Sequence, residues 1–215
     1  ETLGLYLTGH PIDEYEKELK NFISKKISEV APARGTVQKI AGLIVDQRVM
    51  KTKKGDNLCF ITLDDRSARI EVTLFGDVYE QFRDIVKKDT VVIMEGEISN
   101  DDYSGGIKVR ANRLISIPQA RAQYAQSIKV VCSEKDFKGR KLQEVQKLLT
   151  PFKDPQGLQV AFDYQMTQAR GVLNAGQQWR VTASDELLIA LNERFCDNSV
   201  TDGSVSKNPV TVCYL

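Results

Sequence analysis

Two hydrophobic rhythms divide the chain. Ile12, Tyr15, Leu19 and Phe22 recur at three- and four-residue spacing, which predicts a helix. Pro11 suits its start, and Asp13 and Glu14 fall in a first turn where the dipole favours acids. We read 1–33 as a helical segment that exits at Pro32 and Gly35. From Gly35 onward the period drops to two, and five strand-like runs follow: 36–50, 57–63, 69–75, 91–98 and 107–117. A helical stretch at 77–86, with Tyr79, Phe82 and Val86 on one face, separates the third run from the fourth. Gly42 interrupts the long first run, which marks a bend or bulge there.

The order β-β-β-α-β-β with a bent first strand is that of an OB-fold, a small five-stranded Greek-key barrel, expected over 34–118. Residues 119–127 are polar and read as a linker. Beyond them the pattern alternates differently. Strands are expected at 128–132, 158–164, 171–175 and 179–181, with a helix carrying Leu142, Val145, Leu148 and Leu149 that Pro151 stops. Ser184 caps a second helix with Leu187, Leu188, Leu191 and Phe195. Residues 128–215 thus form a small α+β domain with a polar stretch at 197–209, and the whole chain is mostly β plus α+β.

Charge changes this picture only locally. The 215 residues carry a net charge of +1, so no global field draws in nucleic acid, and any such binding must come from clustered cations. No apolar run approaches the roughly 20 residues of a membrane span. Cys59, Cys132, Cys196 and Cys213 lie far apart in or beside apolar stretches and read as small core residues of a reduced, cytoplasmic protein. The single histidine, His10, sits in a Gly-His-Pro turn and reads as structural. The chain opens on Glu1 rather than Met, as an excised piece of a longer protein, or a processed one, would.

Chemistry is scarce. The acidic pairs Asp64/Asp65, Asp84/Asp89 and Asp101/Asp102 fall where turns are expected, and Asp is a preferred turn former. No phosphate loop, nucleophile motif or Cys/His pair is present, so neither catalytic residue, metal nor cofactor is expected. The better signal is for nucleic acid. Arg48, Lys51, Lys53 and Lys54 crowd the tip between the first two strands. On the third strand Ile70, Val72 and Leu74 alternate with Arg69, Glu71, Thr73 and Phe75, so that Arg69 and Phe75 share an outer face with Phe60. Lys108 and Arg110 add charge on the fifth. OB barrels use this face to hold single strands by stacking and phosphate contact. Glu71, Asp101 and Asp102 oppose phosphate, so binding is expected to be weak and steeply salt-dependent.

An ordered set of motifs resembles one family. Gly4-Leu-Tyr-Leu-Thr-Gly-His-Pro11, Ala41-Gly-Leu-Ile-Val45, Thr62-Leu-Asp-Asp-Arg-Ser67, Leu74-Phe75 and Asp102-Tyr-Ser-Gly-Gly106 occur in this order in the alpha subunits of bacterial DNA polymerase III, towards their C-terminus. Phe162-Asp-Tyr164, Trp179-Arg-Val181 and Ser184-Asp-Glu-Leu-Leu188 resemble the same family's last domain. The resemblance implies that residues 1–33 link back to the rest of the alpha subunit, that the barrel contacts single-stranded template, and that 128–215 docks the clamp-loader tau subunit. It also implies that the catalytic aspartates, the phosphoesterase-like domain and the main sliding-clamp motif lie upstream of Glu1. The segment 210–215 is placed like a clamp-binding motif but lacks its Gln and acidic residues. Two other readings compete: a barrel that contacts only protein, as an adaptor, and an anticodon-binding barrel of an aminoacyl-tRNA synthetase, which shares the pattern Phe60-Ile-Thr-Leu-Asp-Asp-Arg-Ser67 in outline. The synthetase reading requires a catalytic domain downstream, and 120–215 shows no ATP-site pattern.

Overall fold

A computed structural model describes residues 10–33, 35–52, 55–101, 106–133, 136, 141–165, 170–196 and 209–214. The chain forms two compact units, 1–117 and 118–215. In the first, β1 (Val37–Lys51), β2 (Asn57–Asp64), β3 (Arg69–Leu74), β4 (Val91–Asn100) and β5 (Ile107–Ser116) close into a barrel in the order β1-β2-β3-β5-β4. β1 pairs antiparallel with both β2 and β4, which its 15 residues and its bend allow. The barrel closes through a parallel β3–β5 seam of just two pairs, Val72 with Val109 and Thr73 with Arg110. Ile40, Ile44, Ile61, Leu63, Val72, Leu74, Val92, Met94 and Leu114 fill the interior. α2 (Gly76–Phe82) packs Val78, Tyr79 and Phe82 against that core.

The bend in β1 differs in detail from the expectation at Gly42. The register shift falls between Ile44 and Asp46. Gly42 instead serves close approach: a Cβ there would stand 2.8 Å from the Leu63 Cβ and 3.1 Å from the Asp64 nitrogen.

The helical segment expected over 1–33 is mostly not α-helix. Residues 1–9 lie outside the described part. Residues Pro11–Tyr15 form a 3-10 helix, Glu16–Leu19 a single α turn (α1), and Ile27–Glu29 another 3-10 turn. The reason is that the segment is shaped by the barrel rather than by its own ladder. Ile12, Leu19, Phe22 and Ile27 are buried, and the β2–β3 turn grips the backbone. Asp65 Oδ2 accepts from the Ile27 nitrogen at 2.8 Å and Ser67 Oγ from the Ser28 nitrogen at 3.1 Å. Arg66 Nη1 donates to both Asp13 oxygens. His10 is structural here: its Nδ1 caps the first turn by accepting from the Ile12 nitrogen, and its Nε2 lies 3.8 Å from Asp64 Oδ1.

The second unit is a four-stranded sheet ordered β8-β7-β6-β9, from β6 (Ala125–Ser133), β7 (Lys153–Gln165), β8 (Arg170–Asn174) and β9 (Val210–Tyr214). β6 and β7 are parallel, joined through α4 (Lys141–Leu149), as a parallel pair requires a crossover. α4 and α5 (Asp185–Phe195) bury Val145, Leu149, Leu187, Leu191 and Phe195 with Ile128, Val130, Val160 and Phe162 of the sheet. Ser184 caps α5 by accepting from the Leu187 nitrogen.

Three expectations need correction here. The polar stretch 119–127 is not a free linker: it forms α3 (Ile117–Tyr124) and the start of β6. Its polar look misleads because Arg121 is 2 % exposed and donates to the Ala183 carbonyl and to Asp185 Oδ1 at 2.6 Å. The strand expected at 179–181 is a 3-10 turn, Gln177–Trp179, followed by Val181, which bridges singly to Lys153 and Leu158. Of the cysteines, only Cys59 and Cys132 are buried, and Cys196 is exposed. The acidic residues at 102 and the polar stretch 197–208 lie outside the described residues.

Candidate nucleic-acid interface

Successive residues of a strand face opposite sides, so pairing register decides which outer residues become neighbours. On β1 and β2 Arg48 pairs with Phe60; Phe60 pairs with Thr73 of β3; Thr73 pairs with Arg110 of β5. Arg48, Phe60, Thr73 and Arg110 therefore form one transverse row on the outer face of four strands. Two cation–π contacts organise it. The Arg48 guanidinium lies 5.0 Å from the Phe60 ring centroid, and the Arg110 guanidinium 4.9 Å from that of Phe75. Phe75, 39 % exposed, sits one residue past the Cys59–Leu74 pair, level with Leu58. Leu58 pairs with Met50, itself 45 % exposed. A second, apolar row of Met50, Leu58 and Phe75 thus flanks the first. On the other side runs a third row: Asp46 pairs with Thr62, and Thr62 with Glu71. Extending the parallel register places Lys108 beside Glu71.

The expected site residues divide accordingly. Arg48, Phe60, Phe75 and Arg110 come together. Lys51 ends β1 opposite Asn57, one residue beyond Met50. Lys108 is exposed beside this group on β5. Lys53 and Lys54 lie outside the described residues. Arg69 is not part of the cluster: it sits at the far end of β3, where its Nε donates to Asp64 Oδ2 at 2.6 Å. Asp64 is nearly buried beside a guanidinium and the Arg66 backbone N–H, which hold its carboxyl below the usual range against the opposing effect of burial. Its charge is matched by Arg69, so that cation is committed to structure. Met50, Leu58 and Asp46 belong to the face but were missed; Thr73, already on the outward parity of its strand, lies in the row but is nearly buried. The signal was available for Met50 and Leu58, two apolar residues on the outward parity of a hairpin.

The loops that frame the face are closed at their bases. Thr52 N donates to Asp56 O at 2.8 Å and Gly55, at φ +91, donates back to Thr52 O. Asp101 N donates to Gly106 O at 2.9 Å. Asn57 Nδ2 donates to Glu80 Oε1 at 2.6 Å and ties the β1–β2 hairpin to α2. Among the described residues no group of three His, Cys, Asp or Glu could hold a metal ion, and no helix is long and apolar enough to cross a membrane.

The second unit holds an apolar groove of about 470 Å³ between α4 and β8, lined by Leu142, Val145, Leu149, Phe162, Leu173 and Trp179. Leu142 and Leu173 are well exposed along it, and Lys153 Nζ stacks 3.7 Å from the Trp179 ring centroid at its rim.

Residues 38–117 match the family described as OB-fold nucleic acid binding domain. Residues 145–195 match the DNA polymerase III subunit alpha, C-terminal domain. The chain is 42 % identical over 200 residues to a DNA polymerase III subunit alpha of Pseudomonas fluorescens, covering 93 % of this chain and 17 % of that one. It is 40 % identical over 190 residues to that of Escherichia coli K12, covering 87 % and 16 %. Among solved structures, the second OB-fold domain of replication protein A from Methanococcus maripaludis aligns with 43 % of this chain and 93 % of its own, at 23 % identity and a TM-score of 0.34. The chain spans about a sixth of the length of the curated relatives it matches. With a barrel matched over 38–117, a last domain matched over 145–195 and about two residues in five identical across nearly all of its length, the chain belongs to the family of DNA polymerase III alpha subunits, of which it represents a C-terminal portion.

Proposed function

We propose that this chain is a non-catalytic part of a replicative polymerase subunit acting in the cytoplasm, whose barrel contacts single-stranded template DNA during chromosomal replication and whose second unit docks the clamp-loader tau subunit. The observation that carries the DNA half is the pair of Arg-stacked rings, Arg48 on Phe60 and Arg110 on Phe75, in one exposed patch. Stacking surfaces beside cations are what an unpaired strand requires: rings for bases, guanidinium for phosphates. Lys51 and Lys108 extend the cationic border, Lys53 and Lys54 follow Lys51 in the sequence, and Arg69 is left out because Asp64 engages it. The apolar groove lined by Leu142, Leu173 and Trp179 supports a docking role for the second unit. No clamp contact is proposed for 210–215, because Val210–Tyr214 pairs with β6 along its length.

Fluorescence anisotropy with a labelled single strand at two salt concentrations tests the first half. Affinity that rises as salt falls, and that K51E/K53E/K54E weakens, is the expected result. No affinity at low salt sinks the DNA reading. The adaptor alternative, a barrel that touches only protein, is favoured by the net charge of +1 and by Asp46 and Glu71 on the same face. Capture by tau addresses the second half: L142E/L173E should abolish it, and undiminished capture removes the groove from consideration.

A further inference from the structure

The two edges of the second unit's sheet are unlike each other. β9 is mostly buried or half-buried, follows Pro209, and breaks register between Ala125 and Ser127 of β6. Proline and irregular pairing are ways in which sheets blunt an edge. β8 has neither: Arg170–Asn174 pairs with β7 without a register shift, and all five residues are exposed, Val172 and Leu173 to 56 % and 60 %. The ladder fixes which way its backbone points. The Ala175 nitrogen donates to the Val160 carbonyl, so Leu173 and Gly171, at two-residue steps, also turn their backbone groups to β7. Arg170, Val172 and Asn174 turn theirs outward, and no strand pairs with them among the described residues. Resting on the docking role read above for this unit, we propose that β8 accepts an extended partner segment as a fifth strand, one with apolar residues at every second position and acids between them.

The side chains beside the edge select this occupant. Leu173 shares a face with its pair Phe162, and that face opens into the groove against α4 with Leu142, Val145 and Trp179. The groove thus lies between a helix and a free strand edge, and a strand added to β8 sends every second side chain towards it. Gly171 leaves a gap on the same face, where a Cβ would meet nothing within 4 Å. A side chain opposite it has room to lean across. The intervening side chains fall on the other face of the sheet, with Val172 and Arg170. That face is cationic. Asp163, 1 % exposed, takes both Arg170 and Lys129, one acid against two cations. Arg170 spends its Nε and one terminal nitrogen on Asp163, and its side chain stays 66 % exposed beside the edge. Lys153 stands over Trp179 at the groove's rim, and none of the described residues lining the groove is acidic. An acid opposite Arg170 makes a cross-strand ion pair. Main-chain bonds to Arg170, Val172 and Asn174 supply affinity, and the groove supplies choice of partner. A helix laid in the same groove leaves the outward N–H groups of β8 to water.

The test immobilises the 215-residue chain and titrates the clamp-loader tau subunit by interferometry. V172P removes an outward N–H and no bond to β7, and proline is tolerated at such edge positions. It should weaken tau binding at least tenfold, while V172T, which keeps the N–H, should change it less than threefold. Thermal melts are run beside each variant. If V172P melts lower than wild type, N174P removes the next outward donor at the strand's end and is judged by the same threshold. R170Q should flatten the fall of affinity with rising salt. L142E/L173E should weaken tau as well, since edge and groove act together. Loss in L142E/L173E with binding intact in V172P and N174P overturns strand addition and leaves groove docking standing. A salt response unchanged in R170Q overturns the acidic character of the segment. A dimer of the chain alone that V172P dissolves and tau does not displace gives the edge to a second copy and overturns the partner. No affinity of the wild type for tau overturns the underlying reading itself, an outcome distinct from the others.

Discussion

Arg66 holds Asp13 with two hydrogen bonds from one nitrogen, at 2.7 and 2.8 Å, across 53 residues of sequence. Arg66 reaches it from a left-handed backbone, φ +70, a region that non-glycine side chains seldom adopt. The conformation is kept because each residue of the 64–67 turn engages the N-terminal segment: Asp64 lies near His10, Arg66 holds Asp13, and Asp65 and Ser67 accept from the backbone at Ile27 and Ser28. R66A should therefore raise amide exchange over 10–29 while leaving β1 and β4 protected. The guanidinium holds the Asp13 carboxyl below its usual range. Its contribution is thus complete above the normal carboxylate titration and is lost only as pH falls through the lowered value. Exchange mass spectrometry at neutral and acid pH checks both points.

A buried acid gives a second pH signature. Asp163 is 1 % exposed on β7 and takes Arg170 through two hydrogen bonds and Lys129 at 3.1 Å. These contacts push its carboxyl far below the ordinary 3.8. The folded value is lowered, so its stabilisation is present above the unfolded value near 4 and disappears as pH falls below it. D163N should cost roughly 1–3 kcal/mol at pH 7 and progressively less in acid, measured by urea unfolding at several pH values.

Close approach predicts the effect of adding one methyl. At Gly42 a Cβ would press on Leu63 and on the backbone of Asp64. At Gly96, beside the register shift of β4 and β5, it would meet the Arg110 carbonyl. G42A and G96A should each destabilise by about 1–3 kcal/mol, with G96A the worse because backbone yields less than a side chain. Thermal melts rank them.

Thiol reactivity should separate the four cysteines. Burial pushes the Cys59 thiol up to about 11 and the Cys132 thiol up to about 12. Both are inert in the folded protein at pH 8, since the thiolate is the reactive form. Exposed Cys196 should react first and half-buried Cys213 more slowly, with the remaining two only on denaturation, as counted by a chromogenic disulfide reagent.

Arg121 offers a test of the region that looked like a linker. R121M keeps most of the volume but removes the donor to Ala183 and Asp185. It should lower stability by roughly 1–3 kcal/mol, seen in the unfolding of residues 118–215 and not in the barrel.

The five barrel strands were legible because a half-buried strand must alternate, and Val72, Leu74, Ile61 and Leu63 do. What stayed hidden depends on partners far away in sequence. Nothing local in 119–127 says that Arg121 finds the carbonyl of residue 183. Arg69 differs from Arg48 through the register of the β2–β3 hairpin, which sets Asp64, five residues back, 2.6 Å from its Nε, whereas Arg48 faces a ring. The acidic turn at 64–67 was recognised as a turn, but its grip on the N-terminal segment rests on tertiary contacts that no spacing reveals. Face membership of Met50 and Leu58 follows from parity alone and could have been read.

The two-pair seam between β3 and β5 makes the barrel a slit ring. Four of its junctions are long antiparallel ladders, and the fifth is held by Val72–Val109 and Thr73–Arg110. Breathing motions will concentrate at that slit, because it has the fewest hydrogen bonds to break. The row that crosses it includes Phe60 and Thr73 on one lip and Arg110 on the other. A polymer laid along that row is a suture: it ties the lips together, and occupancy of the face becomes readable as closure of the ring.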